Sequence, residues 1–168
     1  LGGPQGKIYS IRGSIEVHIP LFLGDLYMKP IRVVIADDHK LLRMGIRKIL
    51  SAYRQLSIVG EASNGKEAIQ AVKETDADVL LLDMQMPVMD GLEATRKLVE
   101  EQSKTRILVL SAYNDHYYVA SVLESGADGY ITKDDDPEDI LEAIQTVFST
   151  KKHGKKWVSP KVGLNHAC

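Results

Sequence analysis

From Ile31 onward the chain repeats one pattern, a short apolar run followed by apolar residues at helical spacing. Ile31 to Ala36 is the first run, and Leu42, Ile46, Ile49 and Leu50 then recur at intervals that place them on one face of a helix. The second unit pairs Leu56 to Ala62 with a helix that Asn64-Gly65 opens and that Ala68, Ile69 and Val72 face. In the third, Val79 to Asp83 precedes Leu92, Thr95, Leu98 and Val99. In the fourth, Ile107 to Ser111 precedes Val119, Val122 and Leu123, and the helix ends near Gly126. Ala127 to Thr132 is a short fifth run. The last helix carries its own start signal, with Asp136 as N-cap, Pro137 in the first turn, and Glu138 and Asp139 at the positive end of the dipole; its apolar face is Ile140, Ile144, Val147 and Phe148.

Five such units imply an α/β fold, a parallel sheet with right-handed crossovers and helices on both faces. The flavodoxin-like (βα)5 arrangement, five strands in the order 2-1-3-4-5, is the common solution at this size and sets the first strand beside the third. The stretch Leu80-Leu81-Leu82 is apolar throughout, as a strand buried on both faces must be, and Asp83 marks where burial ends. Met86-Pro87 then takes the chain out of the strand, and Asp90-Gly91 opens the next helix.

Both flanks fall outside the repeat. Residues 1–27 carry early glycines and then alternate at Ile15, Val17, Ile19, Leu21 and Leu23. They read as a tag-derived or disordered leader ahead of a native start at Met28; the competing reading is an edge strand that pairs with another copy of the chain. After Phe148 the pattern stops. Residues 151–168, a basic run from Lys151 to Lys156 followed by Trp157 to Cys168, show no period and are expected to be a solvated linker or tail, with a nucleic-acid contact as the alternative. The domain proper is therefore expected at residues 28–150.

Composition narrows the field. A chain of 168 residues has room for one well-cored domain plus tails. A net charge of −2 excludes a nucleic-acid surface spread over the whole molecule. The single cysteine, Cys168, excludes an internal disulfide framework and any cluster of cysteine metal ligands. No apolar run approaches the roughly 20 residues of a membrane span. The expectation is a cytoplasmic protein without membrane association.

The candidate chemistry lies at the strand ends. With the first and third strands about 4.8 Å apart, Asp37 and Asp38 fall beside Asp83. Three converging carboxylates raise one another's pKa unless a cation holds them, and magnesium, which takes carboxylates, a backbone carbonyl and waters, fits best. Ser111 ends the fourth strand and Lys133 follows the fifth, so four strand ends deliver polar groups to one rim. Singly, these are solvated acidic loop ends, a strand-end serine and a surface lysine. Jointly, they describe phosphoryl transfer to Asp83, whose carboxylate is ionised at neutral pH and needs no general base. The five histidines, His18, His39, His116, His153 and His166, show no ligand spacing; His39 borders the acidic pair and opens the first helix.

On these residues the chain resembles the receiver domain of two-component response regulators over roughly residues 29 to 150. The resemblance rests on Asp37-Asp38, the segment Asp83 to Gly91, Ser111-Ala112, and Tyr130 to Lys133. The wording at residues 36–40, 126–130 and 157–160 is similar to the subfamily whose receivers precede a LuxR-type helix-turn-helix. The resemblance implies that Asp83 is the phosphoacceptor and that Asp38, Asp83 and the backbone carbonyl of Gln85 ligate Mg2+, with Asp37 acting through water. It implies Lys133 on the phosphoryl group, Ser111 and Tyr130 as a switch pair, and a transcriptional output. Ser111 would move toward the new oxygens and the Tyr130 ring would turn into the space it leaves. A partner histidine kinase would be the phosphoryl donor, and phosphorylation could bring homodimerisation. The protein would be a phosphoacceptor switch in a phosphorelay and not an enzyme. DNA contact would come only through an output domain absent from these residues, as in a receiver-only or truncated regulator. Many receivers carry proline after the lysine; this chain has Lys133-Asp134, so a trans bond and a differently shaped loop are expected.

Competing functions lack a residue each. An aspartyl phosphatase or dehalogenase-type hydrolase needs a second acid two residues after its nucleophile, where this chain has Gln85. A flavodoxin-like cofactor binder needs a glycine- or hydroxyl-rich phosphate loop after its first strand, where Asp37 and Asp38 would repel the phosphate. A receiver-shaped protein-binding module that is never phosphorylated keeps the fold without the chemistry.

Overall fold

A computed structural model describes residues 7–11, 15–19, 29–150 and 154–162, which fall into two units that divide at Pro30. In the first, β1 (Lys7–Ile11) and β2 (Ile15–Ile19) pair antiparallel, with Ile11 opposite Ile15. The alternating stretch thus forms a strand, and its partner is the preceding segment of the same chain. The rest of the expected leader lies outside the described residues.

The second unit is built in the order expected. It runs β3 (Ile31–Ala36), α1 (Lys40–Leu50), β4 (Leu56–Ala62), α2 (Gly65–Thr75), β5 (Val79–Asp83), α3 (Gly91–Glu100), β6 (Arg106–Ser111), α4 (His116–Glu124), β7 (Gly129–Thr132), α5 (Pro137–Ser149) and β8 (Trp157–Val158). The sheet is parallel with strand order β4-β3-β5-β6-β7-β8. Successive strand side chains point to opposite faces, and each face has its own core. Val34, Leu80, Leu82 and Val109 pack with α2, α3 and α4 through residues such as Ile69, Leu98 and Val122. Val33, Ile35, Leu81, Leu108 and Ile131 pack with α1 and α5 through Leu50, Ile140 and Ile144. Coverage on both faces is why the apolar positions of β5 show no alternation, and burial does not end at Asp83 as expected: the strand is buried at all five positions, Asp83 included.

The five-stranded expectation needs one addition, and the expected linker one correction. Trp157 and Val158 form a sixth strand parallel to β7, and the Ser159 N–H donates to the Tyr130 carbonyl at 2.9 Å. Ser159 is buried, and its hydroxyl donates to Asp135 Oδ1 at 2.8 Å. Residues 157–162 are therefore part of the fold and not solvated linker. A two-residue strand has no period to read; its place is set by the β7 edge and by the loop above it.

Helix starts hold the rim in place. Asn64 accepts from the Glu67 N–H, Asp90 from Glu93, and Asp115 from Tyr117 and Tyr118. Asp139 returns to the Asp136 N–H at the start of α5. Gly91 opens α3 so close to the preceding strand end that a Cβ there would lie 2.3 Å from the Asp83 carbonyl oxygen.

Candidate functional site

The strand order places Asp37, after β3, next to Asp83, at the end of β5, and brings Lys133 across from β7. Lys133 Nζ bridges the two acids, 3.1 Å from Asp37 Oδ2 and 3.2 Å from Asp83 Oδ1. Both carboxylates are buried. Asp37 is pinned further: its Oδ1 accepts from the His39 N–H at 2.7 Å, and its carbonyl accepts from Arg43 Nη1 at 2.6 Å. Arg43 is held in turn by Glu61. Asp83 is held on one side only. Its Oδ2 is buried without a hydrogen-bond partner.

Electrostatics follow from this packing. Burial pushes the Asp83 carboxyl above its ordinary value; the Lys133 ammonium works against that rise, and the neighbouring Asp37 charge adds to it. Lys133 is itself desolvated, which lowers its pKa, but the hydrogen bond to Asp37 and the charge of Asp83 outweigh this and hold it above the usual lysine value. The pair of acids is thus half-neutralised by one ammonium, with one carboxylate oxygen left over.

Asp38 is exposed beside this pair and faces His39, whose Nδ1 lies 2.9 Å from Asp38 Oδ1 and 3.5 Å from Asp37 Oδ1. One donor atom from each of Asp37, Asp38, His39 and Asp83 lies within 4.8 Å of all the others, a spacing that suits a divalent cation. The orphaned Asp83 Oδ2 is a donor such an ion would satisfy, so the residues fit magnesium. Gln85 and Asp38 both line an open cleft of about 590 Å³ that continues past Pro87 and Asp90 to Tyr118. The Gln85 side-chain amide donates to the Tyr113 hydroxyl.

Ser111 and Tyr130 are where the expectation changes. Ser111 is buried at the end of β6, its hydroxyl accepts from the Tyr113 N–H at 3.2 Å, and its carbonyl accepts from the Lys133 N–H. The Tyr130 ring, expected to turn inward only on activation, is already fully buried. Its hydroxyl donates to the Tyr113 carbonyl at 2.7 Å, and its ring meets Tyr118 edge-on with centroids 6.4 Å apart. Burial pushes the Tyr130 phenol up to about 12, with a hydrogen bond to Ser111 opposing the rise. The ring thus occupies the inward position in this structure.

The Lys133-Asp134 bond is trans, as expected. Asp135 and Asp136 are loop and cap residues, also as expected: the Asp135 carboxylate accepts from the Thr132 N–H and from Ser159. Sequence reasoning gave His39 only a bordering role and did not reach Arg43, Tyr113 or Tyr118. Arg43 sits four residues after His39 on α1, a spacing that could have flagged it; the tyrosines carry no such signal.

Comparison with known proteins agrees with this geometry. The response regulator receiver domain family matches residues 33–145. The chain is similar to the transcriptional regulatory protein DegU of Brevibacillus brevis, 37% identical over 135 residues that cover 80% of this chain and 56% of that protein. It is similar to the nitrate/nitrite response regulator NarL of Escherichia coli K12, 42% identical over 116 residues covering 69% and 54%. Among solved structures, the signal receiver domain of NarL from Mycobacterium tuberculosis superposes with a TM-score of 0.71 at 34% identity, covering 74% of this chain and all of that one. The chain spans about half the length of the curated relatives it matches.

Proposed function

The chain belongs to the response regulator receiver family, and from that premise we propose that Asp83 accepts the phosphoryl group through which this two-component receiver signals. The observation that carries the proposal is the state of the Asp83 carboxylate: one oxygen anchored by Lys133, the other buried and unpartnered among acids. The acid cluster at Asp37, Asp38, His39 and Asp83 is of the kind that holds Mg2+ in receiver domains.

The Asp83 carboxylate supplies the attacking oxygen and needs no general base. As its bond to phosphorus forms, the phosphorus–nitrogen bond of a phosphohistidine on the partner kinase breaks, and the imidazole leaves. Lys133, already against Asp83 Oδ1, neutralises one of the equatorial oxygens, and the Ser111 hydroxyl donates to another. Asp38, Asp83 and the Gln85 carbonyl would hold the metal, with Asp37 acting through water; bound there, magnesium supplies positive charge against the transferring group. Arg43 and the His39 N–H keep Asp37 in register.

Phosphorylation adds charge and acceptor oxygens at the point where Ser111 and Lys133 meet. Because Tyr130 is already inward, the change transmitted is a tightening of the Ser111, Tyr113 and Tyr130 contacts and not entry of the ring. The face formed by α4, β7 and α5 is where it emerges, and a homodimer formed on phosphorylation would use it.

We take residues 28–150 as the receiver proper, with residues 157–162 docked on its β7 edge. In a full regulator of this kind the output would be transcription through a LuxR-type helix-turn-helix domain, and the compartment would be the cytoplasm. Among the described residues, no helix is long and apolar enough to cross a membrane.

Incubation with Mg2+ and a small acyl phosphate, followed by intact mass, tests the assignment. One hydroxylamine-labile phosphoryl group is expected, absent without metal and absent in Asp83→Asn. Labelling retained in that variant would place the acceptor elsewhere, and sustained phosphate release from unrelated esters would favour the hydrolase.

A further inference from the structure

The acidic rim has a nitrogen donor that an all-oxygen magnesium site does not use. His39 projects its Nδ1 toward the same point as the carboxylates, 2.9 Å from Asp38 and 3.5 Å from Asp37. It makes no capping bond to the helix it opens. Lys133 occupies Asp37 Oδ2 and Asp83 Oδ1, which leaves Asp83 Oδ2 and Asp37 Oδ1, the latter already accepting the His39 N–H at 2.7 Å. Asp83 Oδ2 is buried with no partner. Together with Asp38 Oδ1 and His39 Nδ1 this gives four N/O donors, the number a four-coordinate zinc site uses.

Donor chemistry then decides which ion gains from His39. Magnesium takes oxygen ligands, keeps several waters and has little affinity for imidazole, whereas zinc, nickel and copper bind imidazole well. An added imidazole therefore leaves magnesium nearly indifferent and strengthens binding of the later transition metals.

We propose that His39 is a fourth ligand that makes this rim a mixed nitrogen–oxygen site for an imidazole-preferring divalent cation, with zinc as its first representative, in competition with magnesium. The inference rests on the reading of the rim as the receiver's metal pocket. Replacement of His39 should not unfold the domain, because its side chain is 72% exposed and its ring nitrogen contacts only the rim carboxylates of Asp37 and Asp38.

The test is titration of the metal-free chain with zinc chloride and, separately, magnesium chloride, with and without the other ion, for the wild type, His39→Gln and Asp38→Asn. Long-range nitrogen NMR of the His39 ring is recorded alongside. The expected result is one zinc event that magnesium competes away, that weakens at least ~10-fold in His39→Gln and is lost in Asp38→Asn. Magnesium affinity should change less than about threefold in His39→Gln, and the His39 Nδ1 resonance should shift when zinc is added. Equal zinc affinity in the wild type and His39→Gln, or an unmoved Nδ1 resonance, overturns the inference. A wild type that binds magnesium but not zinc also overturns it and leaves the magnesium reading intact. A wild type that binds zinc through His39 but not magnesium supports it and overturns the magnesium reading alone.

Discussion

Burial holds the Asp83 carboxyl above its ordinary 3.8, so the folded chain keeps that proton more tightly than the unfolded chain does. The group therefore costs stability as pH rises from the unfolded value through the folded one, and the cost stays constant above that window. Metal-free Asp83→Asn should accordingly melt higher than the wild type at neutral pH, with an advantage that shrinks as the solution is acidified through that window down to the unfolded value. An advantage unchanged between pH 7 and about pH 3.5 would contradict this account of Asp83. Lys133 has the opposite sign. Lys133→Met removes the only ammonium described between two buried acids and should destabilise the metal-free fold by about 1–3 kcal/mol, less in an Asp83→Asn background; paired thermal melts measure the coupling. The residue types of this site were legible in the sequence because each strand end is followed by its polar group. What each side chain does there was less so: the chain shows His39 next to two acids, but only the backbone turn after β3 aims its ring at them.

The elements connect the site to the rest of the sheet through their first turns. Asp115 accepts two N–H groups at the start of α4, and the same turn carries Tyr118, which packs on Tyr113 and Tyr130. Asp115→Ala should lower stability by about 1 kcal/mol, seen as a reduced urea midpoint at constant slope, and should increase hydrogen exchange in the first turn of α4 alone. Gly91 is more constrained. A methyl group there would meet the Asp83 carbonyl oxygen at 2.3 Å and Met84 Cα at 2.8 Å, backbone atoms that cannot swing aside. Gly91→Ala should lose at least about 1–3 kcal/mol and should slow acyl phosphate labelling of Asp83 as the strand end shifts; a variant as stable and as readily labelled as the wild type would refute this packing. Caps of this kind are readable in advance at Asn64, Asp90 and Asp136, because a side-chain oxygen three residues before a free N–H is a local pattern.

At the scale of the whole molecule, the segment after α5 is tied to the rim. Asp135, two residues beyond Lys133, receives the Ser159 hydroxyl, and Trp157 lies half-buried on the β7 edge. Ser159→Ala leaves that buried oxygen short of a partner and should cost about 1–3 kcal/mol, with a red shift in the emission of Trp157, the single tryptophan. Unchanged emission and stability would mean that the strand docks without this bond. The sequence alone determined the alternation of strand and helix and the polar residues that end the strands, because apolar period and end signals act over a few neighbouring residues. Tertiary structure alone decided the sixth strand, the inward Tyr130 and the free oxygen on Asp83. Each of these depends on which side chain arrives from a distant part of the chain and how much water it leaves behind.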